Sequence, residues 1–388
     1  MARAQHIGLP LPRSEAWKYT SLRALERRQF ASSQSLPKLD SITLPPAPRL
    51  VFVNGWFDAN LSDVSGLPEG VKLHTLSQTE RVPAKTEASN EVFVELNAAL
   101  AIEGACLHVA AQVQVQTPLH LVFVGVPEAS DIAHALCHRI ELAQGAQLAL
   151  AEHHIATGEH ANLSNALMQI ELREGARLDH LRIQSEAVAA TSFLRTQVRL
   201  AQDASCHRVD LELGAGLSRH ELNVVLAERN ANLHANGVLL ADGRRHLDTR
   251  LGIDHAARDT AATLQWRALA SDRSRAVFHG GILIREGADG ANAQLSNKNL
   301  LLSEGAEIDT QPVLEIHADE VQASHGATVG SLDTTALFYL RSRGLSEAAA
   351  RNLLTAAFCR EVIDANLPEA LREAASVALD AQLAGLPA

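Results

Sequence analysis

The residues with the greatest potential for chemistry fall in one stretch near the C-terminal end, Pro312–Gly330. Two histidines and three carboxylates lie within it: His317, His325, Glu315, Asp319 and Glu320. Imidazole and carboxylate groups together suit iron or zinc binding, or proton transfer. Strand-like sequence precedes the stretch and helix-like sequence follows it, so it lies at a change of architecture, where a functional site is expected.

The two histidines differ in their local context. His325 stands between Ser324 and Gly326, where glycine permits a tight turn and small neighbours leave the ring accessible. His317 and Asp319 alternate with apolar residues, so they are expected to share one face of a strand. Residue types alone still favour ordinary solvent-exposed polar side chains over a metal site here.

Motifs for other chemistries are absent from the sequence. No GxxxxGK[ST] phosphate loop occurs, so the chain is not expected to bind or hydrolyse ATP by itself. GxSxG and HExxH are also missing, and no GxGxxG follows a strand. The adjacent His153 and His154 would point to opposite faces of a strand, which favours structural roles over a shared metal ion.

The four cysteines favour a structural interpretation. Cys106, Cys137, Cys206 and Cys359 are far apart and form no CxxC pair. A disulfide framework and a self-contained iron–sulfur site are therefore both disfavoured, and buried core thiols are expected.

Composition excludes several classes of partner. The chain has 388 residues and a formal charge of -11, from 34 basic and 45 acidic residues. An acidic balance argues against nucleic acid or anionic lipid as the main partner. We find no apolar core of a signal peptide and no membrane-spanning run, so a cytoplasmic protein is expected.

The middle of the chain, residues 101–333, carries short strands with period-2 alternation, such as Val209, Leu211 and Leu213 between charged residues. A turn residue, usually followed by alanine, a polar and an apolar residue, returns at several intervals of roughly 30 residues. Its copies begin at Gly104, Gly145, Gly175, Asp203, Asn230 and Gly305. This pattern predicts a β-helix, because a period of two disfavours helical repeats and a sandwich would not explain the returning motif.

The flanking regions have helical character. Residues 1–100 mix short helical and extended segments, including a capped helix expected after Ser14. Residues 334–388 predict two helices, Ser346 to Val362 and Pro368 to about Leu383. The apolar stripe of the first helix consists of Ala350, Leu353, Leu354, Ala357 and Phe358. The apolar face of the second consists of Leu371, Ala374, Ala375 and Leu379. These helices cap or flank the solenoid, or form a docking surface, and the two uses are compatible.

Both ends of the sequence resemble the SufD family, and the related SufB proteins, of the Suf iron–sulfur cluster assembly system. Near the N-terminus, Glu15–Thr20 (EAWKYT) resembles the opening motif of the family. Near the C-terminus the matching segments are Asn299–Ser303 (NLLLS), Pro312–Ile316 (PVLEI), Ser324–Gly330 (SHGATVG), Phe338–Gly344 (FYLRSRG) and Leu353–Leu354. The modest length and the WKYT opening resemble SufD more than the longer SufB.

The resemblance implies a mostly β fold, with a right-handed parallel β-helix between helical terminal regions. It also implies a non-enzymatic scaffold that pairs with SufB through the β-helix and docks the SufC ATPase through its C-terminal helices. The nascent iron–sulfur cluster is then expected near the SufB interface, with iron bound by a SufD histidine, which motif matching identifies as His325. A homodimer is the assembly expected in isolation.

One position departs from the family pattern. Many relatives carry cysteine two positions before this histidine, where this chain has Ala323. Ligands from this chain are therefore limited to imidazole and carboxylate, and SufB is expected to supply the sulfur chemistry. Helper roles for Glu315, His317, Asp319 and Glu320 stay open, as does binding of a flavin or other reductant.

Two rival functions stay open at this stage. A β-helix enzyme acting on polysaccharide would carry a secretion signal, exposed aromatic residues and paired carboxylates in a groove. The absence of a signal and the 4% aromatic content count against it. A purely structural interaction module is the outcome if His325 proves dispensable.

Overall fold

A computed structural model describes residues 6–11, 14–39, 42–78, 91–363 and 366–386 of the chain. The strands are β1 (Ala31–Ser32), β2 (Arg49–Val53), β3 (Trp56–Phe57), β4 (Val71–Thr75), β5 (Ala105–Val109), β6 (Gln114–Gly125), β7 (Ile132–Leu142), β8 (Gln147–Ala156), β9 (Leu163–Leu172), β10 (Arg177–Ser185), β11 (Thr191–Leu200), β12 (Ser205–Glu212), β13 (Leu217–Leu226), β14 (Asn232–Ala241), β15 (His246–His255), β16 (Ala261–Ala270), β17 (Arg275–Ile284), β18 (Asn292–Leu301), β19 (Glu307–Ile316) and β20 (Gln322–Gly330). The helices are α1 (Val92–Leu100), α2 (Thr334–Ser342), α3 (Glu347–Arg360) and α4 (Glu369–Ala384).

Successive strands from β5 onward alternate between two sheets, so every turn of the chain adds one strand to each. Sheet A runs β4-β5-β7-β9-β11-β13-β15-β17-β19, and sheet B runs β3-β2-β6-β8-β10-β12-β14-β16-β18-β20. The pairings are parallel except at the N-terminal end, where β2 pairs with β3 and β4 with β5 in antiparallel fashion. The predicted mostly β solenoid is confirmed, with about eight turns.

The returning motif of the sequence forms the turns between strands. Gly145, Gly175, Asp203 and Asn230 all have positive φ angles, between 56° and 66°. Glycine adopts this left-handed region without strain, and asparagine and aspartate tolerate it better than other residues. The alanine after each of these four residues is fully buried at the corner of the coil.

Strand β12 places its charged side chains inside the solenoid and its apolar side chains outside, which reverses the usual arrangement of an alternating strand. Arg208, Asp210 and Glu212 point into the solenoid and are essentially inaccessible, whereas Val209 and Leu211 point outward. The outward residues are nevertheless buried, because the C-terminal helices cover this part of sheet B. Alternation identified the strand, but it did not identify which face is the interior.

The C-terminal helices flank the solenoid along sheet B. Ser346 caps α3 by accepting a hydrogen bond from the amide of Ala349, as predicted, and α4 begins directly after Pro368. The expected face of α4 is confirmed by Leu371, Ala375 and Leu379, which are all fully buried.

The expected stripe on α3 is partly wrong. Leu353 is 48% exposed and Ala357 is also exposed, whereas Ala350, Thr355 and Cys359 form the buried face. The sequence of α3 offers two possible buried faces, and the face with the smaller side chains is the one that packs against the rest of the protein.

The capped helix expected after Ser14 is also wrong. Two short 3-10 turns occur instead, and the Ser14 hydroxyl donates to the carbonyl of Leu11 rather than capping a helix. Trp17 is buried against Phe93 and Phe193, with the guanidinium of Arg219 3.7 Å from the centre of its ring. Tertiary contacts of the EAWKYT motif with sheet A therefore replace helix formation.

The expectation of free, buried cysteine thiols is confirmed for three of the four cysteines. Cys137, Cys206 and Cys359 are buried free thiols, as expected, and Cys106 is a half-buried free thiol. Within the described part of the chain, no helix has both the length and the apolar character needed to cross a bilayer. Met1 to Gln5, on which the signal-peptide expectation partly rests, lie outside the described residues.

Candidate functional site

The two ends of the solenoid are built differently. At the N-terminal end the antiparallel strands β3 and β4 form the outer strands of the two sheets. At the C-terminal end, which we call the open end, β19 and β20 pair only with β17 and β18. Within the described ranges, no strand covers their other edges, so backbone donors and acceptors are available for a further coil.

Apolar side chains accompany these free edges. Val313 and Ile316 on β19 and Val329 on β20 are 36%, 42% and 43% exposed. The equivalents of Ile316 and Val329 in the preceding coil, Ile284 and Asn299, are buried because the next coil covers them, whereas Val313 points outward. An exposed edge with apolar side chains is a surface on which another protein can add strands.

His325 belongs to the column of residues that points into the solenoid. In strand register it follows Ala235, Leu264 and Leu295, which are all buried core residues. His325 itself is exposed, because no coil follows β20, and it makes no hydrogen bond to any described residue. A partner that continued the solenoid would therefore cover its ring.

Two local expectations about this stretch are wrong. His325 lies inside β20 rather than in a tight turn, and Gly326 has no positive φ angle. Strand β19 ends at Ile316, so His317 and Asp319 do not share a strand face. Pairing with β18 holds His325 and Gly326 in a strand, whereas the pairing of β19 with β17 ends at Ile316.

The polar residues of the stretch do not assemble into one site. Nε2 of His317 lies 2.8 Å from Oε1 of Glu315, and both side chains are more than half exposed. Over the ranges that the structure describes, no three His, Cys, Asp or Glu side chains are placed to hold a metal ion. His325 by itself can supply only part of a coordination sphere, since iron and zinc sites need several ligands.

The largest concentration of polar groups lies in the closed middle of the solenoid, and sequence reasoning missed it. We call it the charged interior: Glu152, His154, His180, Arg182, Arg208, Asp210, Glu212 and His220. All but His154, which is 6% exposed, are at most 1% exposed. The only sign of the charged interior in the sequence was that charged residues occupy alternate positions of β12.

His180 lies between Arg208 and Glu152 in the charged interior. Its Nδ1 accepts a hydrogen bond from Arg208, at 2.8 Å, so the proton of the neutral ring is on Nε2, which lies 2.5 Å from Oε1 of Glu152. Burial and then Arg208 lower the pKa of His180. Burial alone would raise the pKa of Glu152, yet His180, His154 and Arg208 hold it well below its usual value.

The next coil continues the network. Arg208 forms a bidentate ion pair with Asp210, and Arg182 pairs with Glu212. His220 lies 3.5 Å from Glu212, and burial followed by the charge of Arg182 lowers the pKa of this histidine well below its usual value. The ion pairs compensate the desolvation of charges that would be very costly alone.

An apolar layer separates the charged interior from the open end. Trp266 follows Asp210 and Gly237 in the same register column, and a Cβ atom on Gly237 would come within 2.3 Å of the indole nitrogen. Phe278 packs against Trp266, with ring centres 5.8 Å apart. The ion pairs therefore do not extend to His325.

Comparisons with known proteins identify the family. Residues 127–358 match the family model described as "SUF system FeS cluster assembly, SufBD core domain". The iron–sulfur cluster assembly protein SufD of Escherichia coli is 32% identical over 385 residues, covering 97% of this chain and 90% of that protein. The chain belongs to the SufD family of Suf iron–sulfur cluster assembly proteins.

Other relatives agree with this assignment. An iron–sulfur cluster assembly protein of the SufBD family from Synechocystis is 31% identical, over 95% of this chain and 87% of its own. The SufD protein of Bacillus subtilis is 27% identical, over 69% of this chain and 62% of its own. The SufBD core match spans the charged interior, the open end, α2 and nearly all of α3, whereas the EAWKYT motif and α4 lie outside it.

The SufD-family chain exposes a second apolar surface on its C-terminal helices. Phe338 and Tyr339 of α2 are 73% and 56% exposed, and Leu353 of α3 is 48% exposed. We call these three residues the helical patch. The two helices pack against each other, and large exposed apolar residues on neighbouring helices are candidates for a protein–protein contact surface.

Proposed function

We propose that this SufD-family protein is a non-enzymatic scaffold subunit of a Suf complex, and that its open end joins a SufB protein. The observation that carries the proposal is the open end itself, where free strand edges coincide with exposed apolar side chains. A SufB β-helix that added strands to β19 and β20 would satisfy the free backbone groups and bury Ile316 and Val329.

His325 supplies one ligand to iron or to a nascent cluster at that junction. Its inward register would bring the imidazole between the last coil of this chain and the first coil of SufB. A neutral imidazole suits Fe(II), and SufB contributes the softer thiolate ligands that Ala323 cannot provide. Iron is cargo in this scheme, held only when both subunits are present.

The helical patch docks the SufC ATPase. This chain has no phosphate loop of its own, so energy from ATP must enter through another subunit. Phe338, Tyr339 and Leu353 offer the apolar contacts expected of such a docking surface. The four free thiols suit a reducing compartment, which favours the cytoplasm.

The iron role is tested by replacing His325. The His325→Ala variant, co-expressed with SufB and SufC, should assemble normally but hold less iron and less cluster, measured by metal analysis and by cluster absorbance. His108→Ala is the matched control, because that histidine is also about half exposed but lies in β5, near the opposite end. Unchanged iron and cluster content in His325→Ala would reduce the chain to a structural interaction module.

The docking role is tested by single changes in the helical patch. Leu353→Asp should weaken SufC binding at least about tenfold in pull-down titrations, because a charge would replace an apolar contact at the interface. Val377→Asp on α4 is the control, since Val377 is 70% exposed but lies outside the patch. Equal SufC binding by both variants would contradict the docking assignment, whereas SufB binding should survive in both.

A further inference from the structure

A cleft of about 490 Å3 lies far from the open end, between the N-terminal segment and sheet A. Aromatic side chains of Phe30, Trp56 and Phe93 line it, together with Leu96 and Leu100. The size falls within the range of small-molecule sites, roughly 300–1,000 Å3. Nothing in the proposed scaffold role uses this cleft.

A small polar cavity adjoins the cleft. It has a volume of about 20 Å3, enough for about one water molecule, and Gly55, His134 and Asn165 line both spaces. The other polar residues that line it are His154, His160, Asn162, Ser164, Glu186 and Ser192. An apolar cleft that ends on a few convergent polar groups is the usual form of a ligand site.

Two ring nitrogens at this polar end have no partner among the described residues. Nδ1 of His134 is buried and unpaired, and so is Nε2 of His160, a residue that is 9% exposed. Nδ1 of His160 accepts from the amide of Asn162, at 3.3 Å, which leaves the proton on Nε2. Burial lowers the pKa of His134 to about 4, so its ring is neutral near pH 7.

Glu186 makes this polar end acidic. Its carboxylate accepts hydrogen bonds from the neutral side chains of Ser164 and Gln184, and no salt bridge joins it to a lysine or arginine of the described residues. Burial alone would raise the pKa of Glu186, but His154 and the hydrogen bonds from Gln184 and Ser192 hold it below its usual value. The carboxylate is therefore ionised, and the other polar side chains that line the cavity with it are histidines and neutral groups, with no lysine or arginine among them.

We propose that the cleft binds a small molecule with a flat apolar body and an uncharged or cationic head that donates hydrogen bonds. The body would lie among Phe30, Trp56 and Phe93, and the head would face His134 and Glu186. An anionic head is disfavoured at this end because it would meet an ionised carboxylate. Arg28, a cation that lines the cleft, is already held by Asp131 and by the carbonyl of Ala161. This inference is independent of the proposed scaffold function.

Three probes of equal size and different charge test which charge the cleft prefers on the head of its ligand. Benzamidine is cationic, benzamide is neutral and benzoate is anionic, while all three share one aromatic ring. Ligand-observed NMR on the full chain at millimolar probe should show benzamidine binding at least about tenfold more tightly than benzoate, with benzamide between them. Absence of benzamidine binding, or benzoate binding of equal strength, would overturn the proposal.

Variants of the chain test the location. Leu100→Trp should weaken benzamidine binding at least about tenfold by filling the cleft, and it is expected to fold because Leu100 is 49% exposed. Val377→Trp on α4 is the matched control and should bind normally. Equal binding by these two variants would place the probe elsewhere and overturn the assignment.

Glu186→Gln tests the charge without changing the shape of the side chain. It should reduce the preference for benzamidine over benzamide from about tenfold to about one. Thermal unfolding of each variant without probe verifies that it is folded. A retained preference would show that Glu186 does not select the head, and this would overturn the proposal. The proposal would also be overturned if the unmodified chain bound no probe while Leu100→Trp lost SufB or SufC binding, because the cleft would then be a protein contact.

Discussion

His180 and His325 occupy the same inward column of sheet B, five register steps apart, yet their surroundings differ completely. His180 is sealed by the coils on both sides and bonded to Arg208 and Glu152. His325 has a coil on one side only and no bond to a described residue. The chemistry of an inward histidine in this solenoid is therefore decided by whether another coil covers it.

The largest expected effect comes from acid, which acts on the sealed histidines. Burial lowers the pKa of His138 and of His255 to about 4, so below pH about 6.5 the unfolded chain binds protons that the folded chain excludes. The free energy of unfolding should thus fall as pH drops from about 6.5 towards about 4, by about 1.4 kcal/mol per pH unit for each histidine.

Urea unfolding at a series of pH values measures this dependence. His255→Asn should make the profile shallower by about 1.4 kcal/mol per pH unit, because one of these proton sites is removed. A flat profile between pH 7 and pH 5 would mean that the buried histidines titrate freely in the folded chain, and the distinction between sealed and open positions would fail.

The second prediction concerns the ion pairs of the charged interior. Arg208→Met should lower the free energy of unfolding by about 3–5 kcal/mol, because Asp210 would stay buried without its partner. Denaturant unfolding is the measurement. The control is Arg285→Met, which breaks the surface pair with Asp254 and should cost less than about 1 kcal/mol. Equal costs would indicate that water reaches the interior.

The smallest effect on stability is expected at the open end. Val329→Asp should change the free energy of unfolding of the isolated chain by no more than about 0.5 kcal/mol, because the side chain is already exposed. The same change should abolish co-purification with SufB. Val188→Asp, at a loop position that is 51% exposed, is the control and should leave SufB binding intact. A stable Val329→Asp complex would move the SufB contact away from the open end.

Much of the architecture could be predicted because it is encoded locally. Turn residues such as Gly145 and Asn230, each followed by a buried alanine, recur in several successive coils, and Ser346 and Pro368 define the starts of α3 and α4. The candidate histidine His325 came from a resemblance in sequence, and its position in the inward column came only from strand register.

The charged interior was not predictable in the same way. Arg208, Asp210 and Glu212 alternate with apolar residues just as an exposed strand face would. Only the covering of Val209 and Leu211 by the C-terminal helices reverses the two faces, and that contact joins residues more than 140 positions apart. Short-range patterns cannot show which face a distant segment will cover.

The position of α4 has a consequence for synthesis. Its apolar face packs with Leu181, Val209 and Leu211, so sheet B keeps an apolar outer surface until α4 has been synthesised and has docked. A nascent or prematurely terminated chain would display that surface beside stacked strands, which is a hazard for aggregation. Docking of α4 therefore protects the solenoid against aggregation as well as completing its packing.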